Sequence, residues 1–238
     1  GKSVSLYSDS DMAQKTAEPY IKISPSQIGM LLECPRCLWL FFREGLKRPS
    51  GPFPSLPGGF DMLFKKYFDD YRQIGKLPPE LEGKVEGKLF DEMDKLDVWR
   101  NNWKGISAEF PELGLLLKGA IDDLMVNKKG EFVPIDFKTR GYPLKEDTAA
   151  HYQTQLDLYA LLFKENGYPV ASYGYLLFFW PKKYGGHSAD FNTELVNMEI
   201  SPARGLATLK EVVRIVKDRQ PAAHSDCEFC RFREFSNE

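Results

Sequence analysis

The sequence predicts an α/β domain built on a mixed sheet, and three observations carry that prediction. The first is a hairpin pattern. Leu115–Val126 is apolar except for Lys118, Asp122 and Asp123, and a second apolar run, Phe132–Thr139, follows the turn Asn127-Lys128-Lys129-Gly130-Glu131. Two runs rich in Leu, Ile, Val and Phe around a Gly-containing turn read as paired strands. The second is Tyr168–Trp180, whose aromatic and aliphatic run suits a buried strand. The third is the interleaving of these strands with amphipathic helical patterns, an order that builds a sheet with helices on its faces.

Taken in order, residues 1–20 read as a flexible polar leader, and 21–238 as a single domain with three parts. These are a mainly helical part at 21–103, a core at 104–200, and a C-terminal helix with a cysteine-bearing tail at 201–238. Ser24-Pro25-Ser26-Gln27 ahead of Ile28, Met30, Leu31 and Leu32 predicts a helix start. Ser24 is its N-cap, Pro25 its first residue, and Gln27 the reciprocal capping partner. Arg48–Gly59 is dense in Pro and Gly and reads as a loop. Phe60–Tyr71 then places Met62, Leu63, Tyr67 and Phe68 on one side of a helix. Gly75–Gly83 breaks it, Val85–Trp103 reads as mixed helix and loop, and Ile106–Phe110 as a first strand. After the hairpin, Thr148–Glu165 reads as a helix and Tyr168–Trp180 as a strand closed by Pro181. Lys182–His187 reads as a basic loop, Thr193–Ile200 as a last strand, and Ser201-Pro202 as the cap of a helix reaching about Arg219.

Composition narrows the class. Among 238 residues, 32 Lys and Arg against 34 Asp and Glu give a net charge of -2, which excludes a uniformly basic nucleic-acid coat but not a local basic groove. No apolar run approaches the ~20 residues that cross a bilayer. With no secretory signal in view, the expected setting is cytoplasmic and away from membranes. The 4 cysteines fall in two Cys-x-x-Cys pairs, Cys34/Cys37 and Cys227/Cys230. In a non-secretory chain such pairs point to metal or cluster binding rather than to disulfides. Four thiolates suit a tetrahedral zinc or an iron–sulfur cluster, and spacing alone does not choose. Either would tie the N-terminal helices to the tail. His224 is a further candidate ligand.

The charges inside the hairpin are the anomaly. Residues two apart on a strand share a face, so Asp136 and Lys138 project together, while Asp122 interrupts the preceding strand. Burying such groups unpaired would cost several kcal/mol each. Two carboxylates brought together can hold Mg2+ or Mn2+, and a lysine beside them can stabilise charge on a phosphate. The bland alternative is a solvated hairpin edge. Gln155 and Tyr159, four apart on the helix that follows, share one face, though a Tyr on an apolar stripe also serves as core.

Gly119-Ala120-Ile121-Asp122, then Ile135-Asp136-Phe137-Lys138-Thr139, then Gln155-Leu156-Asp157-Leu158-Tyr159, in that order and spacing, resemble the PD-(D/E)XK nuclease superfamily. The likeness is to its RecB-like branch, which includes the CRISPR-associated spacer-acquisition exonucleases and the AddB nuclease domain. The resemblance implies a restriction-endonuclease-like core with metal on Asp122, Asp136 and the backbone carbonyl of Phe137. It also implies Lys138 as catalytic lysine and Gln155 and Tyr159 as the helix motif of that branch. Where the family often has a metal-binding His, this chain has Asp61, which reads either as a carboxylate ligand or as a helix-start Asp favoured by the macrodipole. Glu109 is an additional acidic candidate. The resemblance favours a [4Fe-4S] cluster on Cys34, Cys37, Cys227 and Cys230 over zinc, although related nucleases supply one cysteine before the core and three after.

The function expected from the resemblance is divalent-metal-dependent cleavage of DNA, exonucleolytic on single-stranded or free ends. Its setting would be CRISPR adaptation (an antiviral defence, with adaptation proteins as partners) or DNA repair. Lys182, Lys183 and Tyr184 are candidate DNA contacts. The contrasting reading is a non-catalytic interaction module with a residual site.

Overall fold

The computed structural model describes residues 20–49, 51 and 55–235, so the leader predicted at 1–20 lies, apart from Tyr20, outside the described residues. The chain opens with a short strand the sequence does not announce, β1 (Ile21–Ile23). Then α1 (Pro25–Glu33) starts as predicted: Ser24 Oγ accepts the Gln27 amide at 3.3 Å and Gln27 Oε1 accepts the Ser24 amide at 2.9 Å. Pro35 separates α1 from α2 (Pro35–Glu44), because a residue before proline is pushed out of helical geometry. Cys34, extended at φ -165°, therefore sits at the corner between two helices.

The next helix, α3 (Ser55–Gln73), begins earlier than the Pro/Gly content of 48–59 suggests. Pro57 falls in its first turn, where no intrahelical N–H is needed. Between α3 and the core lie β2 (Lys88–Leu89) and α4 (Met93–Arg100). The core strands are β3 (Ile106–Phe110), β4 (Leu115–Gly119), β5 (Asp123–Val126) and β6 (Phe132–Thr139). A 3-10 turn at Ala149–Tyr152 leads into α5 (Gln153–Glu165), shorter than the predicted helix. Completing the fold are β7 (Tyr173–Tyr184), β8 (Ala189–Glu199), α6 (Pro202–Lys217) and α7 (Glu228–Phe235).

The strands form two sheets, one of three strands in the order β1-β4-β3 and one of five in the order β2-β5-β6-β7-β8. Within the larger sheet β6 and β7 are parallel and the other pairs antiparallel, so the sheet is mixed as expected. The hairpin β5–β6 has the predicted turn, with Val126 opposite Phe132. What differs is the strand expected to run unbroken from Leu115 to Val126. It divides at residues 120–122, its first half joining one sheet and its second half the other. The corner holds because its polar backbone groups find partners outside the ladder. The Ile121 amide donates to Trp99 O, the Tyr159 hydroxyl donates to Ala120 O, and Arg100 Nε donates to Asp122 O.

A second difference lies beyond Pro181. The expected basic loop is the tip of a β7–β8 hairpin, since β7 continues to Tyr184. Pro181 is tolerated beside a register shift between Pro181 and Lys183, the kind of irregularity that frees a residue from donating to the ladder.

Two cores sandwich the larger sheet. On one face α3 sets Phe64 and Phe68 against Phe137 and Phe179. On the other, α5 is buried from Leu156 to Phe163, pressed between sheet and α6. Asp157 anchors that crossing by accepting the Ser201 amide at 2.7 Å and Arg204 Nε at 2.9 Å. No described helix is long and apolar enough to cross a membrane.

Candidate active site

The corner at 120–122 is where the functional side chains gather. Along β6, Val133, Ile135 and Phe137 face α3, while Asp136 and Lys138 face α5, as the two-residue period requires. Asp136 is 1 % exposed. Asp122 leaves the corner toward β6, where its Oδ2 accepts the Phe137 amide at 2.9 Å. Asp122 is thereby pinned to the residue whose carbonyl is a candidate ligand. Lys138 Nζ donates to Gln155 Oε1 at 2.8 Å, Gln155 Nε2 donates to the Tyr159 hydroxyl at 2.7 Å, and that hydroxyl donates to Ala120 O at 2.9 Å. This chain of bonds runs from the lysine through one face of α5 to the corner. Tyr159 is buried, so it braces the site from behind.

Asp61 arrives from α3, on the opposite side of the sheet, and it too lines the cavity formed here, whose volume is about 570 Å3. Its Oδ2 lies 2.7 Å from Lys65 Nζ, which is also 3.1 Å from Asp122 Oδ1. The rest of the wall includes Ser24 and Ser26 at the start of α1, Asn102 and Lys118.

The electrostatics follow from burial. Burial first, and then the neighbouring Asp122 carboxylate, push the Asp136 carboxyl up to about 7, although Lys138 opposes the shift. Burial, with both carboxylates behind it, also raises the Tyr159 hydroxyl well above its ordinary value. Burial alone would lower the Lys65 ammonium, but Asp122 and Asp61 outweigh it and its pKa rises. Lys138 Nζ lies 2.5 Å from Asp136 Oδ2, yet that buried oxygen accepts no well-directed hydrogen bond. A buried carboxylate oxygen whose neighbouring ammonium is not directed at it keeps lone pairs that a metal ion could take. The set Asp122, Asp136 and Phe137 carbonyl is all oxygen, as Mg2+ or Mn2+ requires.

Several participants escaped the sequence reading. Asp123, 0 % exposed, pairs with Arg72 and with Arg100 Nη2 at 2.9 Å, and Asp69 accepts from both arginines. Burial raises the Asp123 carboxyl, and the two guanidiniums oppose that. This network binds α3 and α4 to the corner, and Arg100 reaches past it to the Asp122 carbonyl. Tyr152 is another omission: its ring centroid lies 4.2 Å from Lys138 Nζ. The signal for all of them is contact between residues far apart in sequence, which periodicity does not register. Conversely, Lys182, Lys183 and Tyr184 are exposed on the hairpin and do not line the cavity. Nor does Glu109, which is exposed on β3.

The cysteines do come together. All four are buried and their sulfurs lie within 4.8 Å of one another. Individual separations are 3.8 Å for Cys34–Cys230, 3.6 Å for Cys37–Cys227 and 3.7 Å for Cys37–Cys230. The His224 amide, rather than its ring, approaches Cys34 Sγ at 3.4 Å, while its Nδ1 accepts from Asp226. Burial works against the Cys34 thiolate, but the His224 amide and neighbouring groups bring its pKa down to about 7. A group of four such thiols can hold a metal.

The fold and cavity define an α/β protein with an acidic, lysine-bearing site at a sheet corner. Comparison with known proteins gives that class its family. The PD-(D/E)XK nuclease superfamily matches residues 61–235, most of the chain, and the protein belongs to it. Among solved structures, the chain is similar to SSO0001, at 16% identity and a TM-score of 0.49, covering 95% of this chain and 89% of that one. It is also similar to a provisionally described exonuclease from Eubacterium rectale, at 12% identity and a TM-score of 0.46, covering 97% and 94%. No curated protein matches it.

Proposed function

We propose that this protein is a divalent-metal-dependent deoxyribonuclease acting on single-stranded DNA or free ends. The observation that carries the reading is the buried Asp136 Oδ2, short of a directed donor, beside Asp122 and under the Lys138 ammonium. Asp122, Asp136 and the Phe137 carbonyl would hold Mg2+ or Mn2+, which when bound makes water a better nucleophile and neutralises phosphate charge. Lys138 reaches the same space and offers its ammonium to a phosphate oxygen. Gln155 holds that ammonium at 2.8 Å, and Tyr159 holds Gln155, so the lysine is oriented before substrate arrives. The site is an open recess of about 570 Å3, with room for a strand end. Ser24, Ser26 and the start of α1 line it, favourable neighbours for backbone phosphates. The motif likeness to spacer-acquisition exonucleases supports a role in CRISPR adaptation or in repair.

For the cysteines we favour a single zinc ion over a [4Fe-4S] cluster. Tetrahedral zinc with Zn–S bonds of about 2.3 Å sets its sulfurs about 3.8 Å apart. Three of the six separations, at 3.6–3.8 Å, match that edge, and all six lie within 4.8 Å. A cubane must spread its thiolates around four irons and four sulfides. Metal analysis decides: one zinc per colourless chain is expected, and stoichiometric iron and sulfide in brown protein would reject it.

The nuclease reading is tested with end-labelled single-stranded and duplex oligonucleotides in Mn2+ or Mg2+. Stepwise shortening of the single strand is expected. Equal cutting within closed duplex circles would contradict the end preference.

A further inference from the structure

Asp61 lines the site where a metal ligand is expected, but its carboxylate is already engaged. Lys65 follows it four residues later on α3, which stacks the two side chains on one helix face. Lys65 Nζ lies 2.7 Å from Asp61 Oδ2 and 3.1 Å from Asp122 Oδ1, so one ammonium bridges both carboxylates. It is held there from two sides, and its side chain is only 19% exposed. The helix carrying it is itself fixed, because Phe64 stacks on Phe179 and Phe68 lies against Phe137 on the sheet. Asp122 therefore has a partner at each oxygen, the Phe137 amide at Oδ2 and Lys65 at Oδ1, and the second lone pair of Oδ2 is what it keeps for an ion on the Asp136 side. The oxygen without a directed donor is on the other side of the site, at Asp136 Oδ2, where Lys138 Nζ lies 2.5 Å away but is also held by Gln155 and so can turn toward a phosphate.

We infer that Lys65 is a resident cation occupying the space between Asp61 and Asp122, that Asp61 holds this lysine and not a metal, and that the site takes one divalent ion, on the Asp136 side. The inference rests on the metal-dependent reading of the same site. Charge supports it. Asp61, Asp122 and Asp136 face the ammoniums of Lys65 and Lys138, with Lys118 also on the wall, so at most one negative charge remains, which one divalent ion already overcompensates. A second ion on Asp61 and Asp122 would need the space that Lys65 Nζ fills. Lys65 thus supplies, without metal, the positive charge that a second ion provides in two-metal sites.

Mn2+ titration of the full chain tests this, with bound ion counted by calorimetry and by electron paramagnetic resonance of free Mn2+. Melting curves confirm that each variant is folded. Wild type should bind one Mn2+, Asp136→Asn none, and Asp61→Asn one with affinity within about twofold of wild type. Lys65→Met, by freeing the acidic pair, should bind a second Mn2+ or bind about tenfold more tightly, while Lys65→Arg should keep a single site. Two ions in wild type, a loss of about tenfold or more in Asp61→Asn, or no gain in Lys65→Met would each overturn the inference. The Asp61 variant carries the test should Lys65→Met not fold. If Asp136→Asn binds Mn2+ like wild type, the metal site itself is misplaced and this inference falls with it. Failure confined to the Asp61 and Lys65 variants overturns the inference alone.

Discussion

Asp136→Asn should make the protein free of Mg2+ and Mn2+ more stable at neutral pH while removing its capacity to bind either ion. In the unfolded chain this carboxyl titrates near 3.8, and in the folded protein burial and Asp122 raise it to about 7. Between those values the folded state keeps a proton that the unfolded state has released. The residue's contribution to stability therefore falls as pH rises through that window. A displacement of roughly three units at about 1.4 kcal/mol per unit makes the span up to about 4 kcal/mol. Asparagine, neutral at every pH, carries no such term. Urea unfolding of wild type and variant from pH 4 to pH 8 measures the gap between them. It should widen by on the order of 3–4 kcal/mol in favour of the variant as pH rises, and added Mn2+ should stabilise only the wild type. A gap that stays constant with pH would refute the reasoning, because Asp136 would then not be a destabilised carboxylate awaiting a cation.

Other consequences follow from the same contacts. Tyr159→Phe leaves the Ala120 carbonyl without its donor and Gln155 without its acceptor. It should cost about 1–2 kcal/mol in urea unfolding and slow cleavage while leaving Mn2+ affinity unchanged. Arg100→Met removes one of the two guanidiniums on buried Asp123 and the donor to the Asp122 carbonyl, so a loss of about 3–5 kcal/mol in thermal or urea unfolding is expected. Cys37→Ser should weaken metal binding at the four-cysteine group proposed to join α2 to the start of α7. Zinc analysis of the purified variant should fall below stoichiometry, and its melting temperature should drop sharply, since binding energy at such a site is folding energy.

How much of this was legible in the sequence depends on the range of the forces involved. Strand β6 and the shared face of Asp136 and Lys138 were readable, because a two-residue period and an apolar run are local facts. The start of α1 was readable for the same reason: a capping box is complete within four residues. The division at residues 120–122 was not. Both halves are apolar, no proline marks the break, and what holds the corner open is Trp99, Arg100 and Tyr159, remote in sequence. Pro181 misled in the opposite direction, since it reads as a strand end unless the neighbouring register shift is known. Lys65, Asp69 and Arg72 lie on α3, and their partners Asp122, Arg100 and Asp123, remote in sequence, appear only in the fold. The cysteines were legible as a metal group, because pairing at Cys-x-x-Cys spacing is itself the signal. Their approach to within 4.8 Å of one another was not.

The most direct test of the account is the cleavage of end-labelled single-stranded DNA by wild type and by Asp136→Asn, each with and without Mn2+. Shortening is expected from wild type only when Mn2+ is present, and none from a variant that is folded and at least as stable at neutral pH. Cleavage by Asp136→Asn at the wild-type rate, or by wild type in metal-free buffer, would contradict it.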